Sequence, residues 1–148
     1  MTTQYLRAYC AREAAAKGEP GSAIRFVAST EDVARDGLII KAEGWQLDNY
    51  RRNPVVLWVH DYMGNKLPIG RGDPNIEGKQ LLADVTFDQE DEFARQIESK
   101  YRRGYLNAVS VGWETLEMQP SQNPKVRGTV TKAELLDISA VPVPGDAK

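Results

Sequence analysis

Three side chains in this sequence could together carry out nucleophilic catalysis: an imidazole, a hydroxyl and a carboxylate. His60 is the one histidine in the chain, so any imidazole chemistry rests on it. It ends the most apolar run, Val55 to Val59, and Asp61 follows directly. A strand end fixes a residue, while the loop beyond leaves it open to substrate. Ser110 lies in Asn107-Ala108-Val109-Ser110-Val111-Gly112-Trp113. A glycine two places after it permits a bulge or a close backbone approach. Asp137 sits in Leu135-Leu136-Asp137-Ile138-Ser139-Ala140-Val141-Pro142, flanked by apolar residues. If that strand is buried, its carboxylate needs a partner. A serine is a weak nucleophile until a base takes its proton, and an acid then holds the charged imidazole. The order is His, Ser, Asp, with separations of 50 and 27 positions and no G-x-S-x-G elbow. Each residue also has a plain reading: a histidine that closes a strand, a serine on a wet face, an outward-facing acid.

Composition narrows the alternatives. The chain has 148 residues, 41% hydrophobic and 27% charged, as one soluble globular domain would. One cysteine, Cys10, cannot form an internal disulfide, and one histidine with one cysteine cannot build a Cys/His zinc site. No metal or other cofactor is expected. A net charge of −2 gives no general drive toward nucleic acid or anionic membrane. Tyr50-Arg51-Arg52 and Tyr101-Arg102-Arg103 mix aromatics with base, as stacking platforms do, and that reading ranks last. No apolar run approaches the roughly 20 residues that span a bilayer, and the polar start shows no secretory signal, so a cytosolic setting is expected.

The elements that must position these residues are mostly strands. Residues 1–21 read as an N-terminal arm or a short helix, with the compact domain over residues 22–148. Strands are expected over Ile24–Ser29, Gly37–Ala42, Pro54–His60, Leu67–Gly72, Gln80–Phe87, Leu106–Met118 and Thr129–Val143. The unbroken apolar run before His60 suggests a strand covered on both faces. One helix is clear: Asp88 reads as its N-cap, Arg102 and Arg103 close it, and Gly104 stops it. Phe93, Ile97 and Tyr101 share one face. Short turns between consecutive strands favour an antiparallel sheet or barrel of about six or seven strands, an α+β fold rich in β.

The ordered set of motifs resembles the prohead (head maturation) proteases of HK97-like tailed bacteriophages. It comprises Arg25-Phe26-Val27-Ala28-Ser29-Thr30, Asp36-Gly37 to Gly44-Trp45, Asn53-Pro54-Val55-Val56-Leu57-Trp58-Val59-His60-Asp61, Leu67-Pro68-Ile69-Gly70, Val109-Ser110-Val111-Gly112-Trp113 and Leu136-Asp137-Ile138-Ser139-Ala140-Val141-Pro142. The resemblance implies a serine endopeptidase with the fold of herpesvirus assemblins, a closed or nearly closed antiparallel β-barrel flanked by helices. It maps the base onto His60, the nucleophile onto Ser110 and the acid onto Asp137, where the family often has Glu. Ser139, the second serine of that motif, takes a supporting role. Backbone amides around Val111 and Gly112, or after Pro142, are the candidate oxyanion donors. The implied substrates are the major capsid protein and scaffold, cut inside a procapsid in the host cytoplasm. A homodimer or higher oligomer is compatible with such a protein. Family members continue past Val141-Pro142, so a cut or processed terminus is expected at Lys148. The competing reading is a catalytically inactive protease-fold module in capsid assembly.

Overall fold

The computed structural model describes residues 3–9, 18–34 and 36–143, the first stretch by its backbone alone. The chain is mostly β. Nine strands form one sheet: β1 (Thr3–Tyr9), β2 (Ile24–Thr30), β3 (Leu38–Ile40), β4 (Trp45–Gln46), β5 (Val55–Trp58), β6 (Gly70–Glu77), β7 (Gln80–Phe87), β8 (Ala108–Gln119) and β9 (Gly128–Val141). Among the described residues, two α-helices, α1 (Asp48–Arg52) and α2 (Glu92–Arg102), and a 3-10 turn over Ala42–Gly44 interrupt them. Thr3–Tyr9, within the expected arm, pairs with β8 as a strand. Cys10 lies outside the described residues.

The sheet is mixed and open, which corrects the expectation of an antiparallel, closed or nearly closed barrel. Its path runs β1-β8-β9-β5-β6-β7-β2, and the two ends of that path share no ladder. β9 is antiparallel to β8 but parallel to β3, β4 and β5. The cause is the connection. β5 reaches β9 only through a hairpin, a helix and β8, and that long crossover returns the chain in the same direction. The three short strands lie end to end along β9, facing Gly128–Val130, Ala133–Glu134 and Ile138–Ala140. Gly44 turns the chain between the first two of them. A Cβ there would collide with the backbone carbonyl of Thr131. The continuous apolar run of β5 is the usual mark of a strand paired in parallel and buried on both faces.

The inner face of the sheet and helix α2 enclose the core. Phe26, Trp45, Trp113, Leu135 and Ile138 are all buried there. Asp91, not Asp88, caps α2, its carboxylate accepting from Phe93 N–H at 3.0 Å. Ile97 and Tyr101 point inward, and the Tyr101 ring meets Phe26 edge-on at 5.0 Å. Tyr105, beyond the end of the helix, is exposed.

One buried acid ties α2 to the segment before β2. Glu98 accepts from Gly21 N–H at 2.8 Å, Gln89 Nε2 at 2.7 Å and Arg102 Nε at 2.9 Å. Burial alone would push its carboxyl up. The bonds from Gln89, Gly21 and Arg102, with the guanidinium charge, outweigh burial and hold it below its ordinary value of 4.5. The unfolded chain therefore binds this proton at higher pH than the folded chain. The stabilisation is complete above about pH 5 and fades as pH falls through the folded value. Glu98→Gln should lower the thermal midpoint at neutral pH, by about 1–3 kcal/mol of stability. The gap between variant and parent should narrow as pH falls below the ordinary carboxyl value of 4.5 in thermal melts, and a pH-independent gap would refute the linkage.

Candidate active site

Each member of the site is aimed by a local irregularity of the sheet. On β8, Val109, Val111 and Trp113 face the core, so Ser110 faces the opposite side. On β9 the register passes from Trp113↔Leu135 to Gly112↔Asp137, which leaves Leu136 as an extra residue. That bulge switches the alternation. Leu135 points into the core, yet Asp137 points outward beside Ser110, with Ile138 inward again. Ser139 follows Asp137 on the same outer face and pairs across the ladder with Ser110.

His60 arrives from the other neighbour of β9. Beyond Trp58, Val59 N–H still bonds to Ala140 O at 3.0 Å. The chain then reverses through Val59 and His60, both left-handed at φ 50° and 56°, and Asp61 N–H closes the turn on Trp58 O. Such a conformation costs a non-glycine residue about 1–3 kcal/mol and persists only where surrounding contacts impose it. Here His60 N–H donates to Ser139 Oγ at 3.0 Å. Asp61 does not hold the imidazole. Its carboxylate accepts from Met63 N–H and Lys66 N–H and shapes the loop beyond.

The structure brings His60, Ser110 and Asp137 together. His60 Nε2 lies 3.0 Å from Ser110 Oγ. Its Nδ1 lies 3.2 Å and 3.1 Å from the two oxygens of Asp137. The His60 side chain is 13% exposed and that of Asp137 1%. Ser139 donates to Asp137 Oδ2 at 2.5 Å. Tyr62 donates to Oδ1, also at 2.5 Å. Tyr62 is the residue that sequence reasoning missed. No periodicity marks it, and its only sequence cue is a position two after His60. Below the cluster, burial first and the nearby Asp137 charge second push the Tyr50 phenol up.

This arrangement can move a proton from Ser110 to His60 while Asp137 faces the charge that forms. Beside the acid lies a cavity of about 370 Å³, walled by Val55, Leu57, Leu136 and Pro68, with Tyr62 and Asp137 on its lining. Val59, Tyr62, Met63 and Leu67 are exposed on the loop around it. The stacking-platform reading fails on burial. Tyr50 and Tyr101 are each 2% exposed and cannot offer a ring to a base.

Comparison with known proteins places this chain in a family. The prohead protease of Escherichia phage T5 is 27% identical over 128 residues, covering 82% of this chain and 57% of that protein. The chain thus spans a little over half the length of that relative. The capsid assembly protease of bacteriophage T4 shares the fold, with a TM-score of 0.61 at 12% identity, covering 97% of this chain and 100% of that one. The family model described as caudovirus prohead serine protease matches residues 41–148, which include the loop of His60 and the strands of Ser110 and Asp137. A match over that much of its length makes this chain a member of the caudovirus prohead serine protease family.

Proposed function

We propose that this chain is the catalytic domain of a serine endopeptidase that cuts capsid and scaffold proteins inside a maturing procapsid in the host cell. The observation that carries the reading is the line of contacts from Ser110 Oγ through the His60 ring to Asp137. Ser110 Oγ attacks the scissile carbonyl carbon, and its proton passes to His60 Nε2. The peptide C–N bond then breaks, the amine leaves with that proton, and an ester to Ser110 remains. Water gives a proton to His60 as it attacks the ester, and the proton returns to Ser110 Oγ as the acid product leaves. Asp137 stays ionised throughout and stabilises the imidazolium. The reading draws further support from relatives named for prohead proteolysis and capsid assembly.

A fluorophosphonate probe tests this without knowledge of the cleavage motif. It should attach to one residue only, Ser110, as read by mass mapping of digested protein. An unlabelled Ser110 in folded protein would favour an inert module with a protease fold.

A further inference from the structure

Tyr62 stands half in solvent, 46% exposed, yet its hydroxyl reaches a carboxylate that is 1% exposed. Each Asp137 oxygen is therefore held by a hydroxyl, Tyr62 on Oδ1 and Ser139 on Oδ2. His60 Nδ1 sits almost midway between those oxygens, at 3.2 Å and 3.1 Å. A carboxylate turns readily about its last torsion, which has broad wells. Two donors at its flanks stop that turn and keep the imidazole on the bisector. The two hydroxyls differ in how they are fixed. Ser139 is built into β9, and its oxygen already accepts His60 N–H, so its own hydrogen is committed to Asp137. Tyr62 belongs to the loop after the left-handed turn and lines the cavity beside the acid.

We propose that Tyr62 is a positioning residue of the proposed hydrolysis, holding Asp137 from the cavity side so that His60 meets Ser110 in line. This rests on reading Ser110, His60 and Asp137 as the reacting set. The phenol also draws part of the carboxylate charge toward itself and away from the imidazole. Its loss leaves the acid freer to rotate and more strongly attractive to a protonated His60. Among the described side chains, the other ionisable groups facing this cluster are Tyr50 of α1, beneath Asp137, and Asp61 and Lys66 of the loop, which line the same cavity. None of them changes in the test variant.

Tyr62→Phe keeps the ring and removes only the hydroxyl. The rate of fluorophosphonate labelling should be measured across pH, together with an NMR titration of the one imidazole. The plateau rate should fall about five- to ten-fold. The acid limb of the profile and the imidazole resonances should both move to higher pH in the variant than in the parent. A fall in rate with no movement of either would mean that Tyr62 merely shapes the cavity, and the proposal would be overturned. Unchanged rate and titration would overturn it too. The NMR titration needs no turnover, so it separates failure of this proposal from failure of the hydrolase reading.

Discussion

His60→Ala should reduce cleavage of co-expressed capsid protein by about 10⁵-fold or more, to background. The chain has no second imidazole to substitute. With His60 gone, Ser110 Oγ loses the imidazole that takes its proton, and the leaving amine loses the acid that returns it. The fold should survive. Asp137 retains both hydroxyl donors, Tyr62 and Ser139, so the acid is not left bare. Alanine visits the left-handed region somewhat less readily than histidine, so the turn gains only a small added strain. Circular dichroism and thermal melts should match the parent closely. Ser110→Ala should cost about as much, and the double variant no more, because residues that act as one unit are not additive. Capsid protein still cleaved at a measurable rate by folded His60→Ala would refute the mechanism.

Asp137→Asn should lower turnover by about 10⁴-fold while leaving the chain folded. An asparagine carries one acceptor oxygen and one amide nitrogen in place of two equivalent oxygens. Its NH₂ group would face either a hydroxyl or His60 Nδ1. Turned to the ring, it forces Nδ1 to accept, and the proton moves to Nε2. Ser110 Oγ then meets an N–H where it needs a base. Turned to Ser139 or Tyr62 instead, it confronts a hydroxyl that now has to accept. The comparison that decides is labelling rate against thermal midpoint. A large loss of rate with little loss of stability is the expected result. Near-parental labelling would remove Asp137 from the reacting set and leave His60 and Ser110 to act alone.

The proposed reacting residues are legible because their chemistry is sparse in this chain: one imidazole, one serine in an odd strand context, one acid among apolar neighbours. Their partners were less so. Strand positions could be read from apolar runs and turn residues, and β7 runs over Gln80–Phe87 as the alternation indicates. The direction of β9 relative to β5 could not. Parallel pairing depends on crossovers that bring distant segments together, and local pattern carries no record of them. The bulge at Leu136 was equally hidden, because Leu135-Leu136-Asp137 reads as an ordinary apolar stretch until its partner strand is known. Alternation alone would put Asp137 on the side of Leu135, in the core. Val59, the first of the left-handed pair, defies local preference outright, since β-branched residues avoid that region. Tyr62 depends on that turn and was invisible with it.

The parallel ladder between β5 and β9 has a consequence in time. It joins His60 to Asp137 across 77 residues of sequence, whereas β6 and β7 zip together across a two-residue turn. Contacts between distant segments close late, because the chain must first lose the freedom of the long loop between them. Neither the hairpin nor the helix that precedes β8 contains any part of the reacting set. A chain still emerging from the ribosome, or one only partly folded, therefore has a serine and a histidine but no geometry between them. Under the proposed mechanism, cutting ability arrives with the last long strand, in one step with the completed fold.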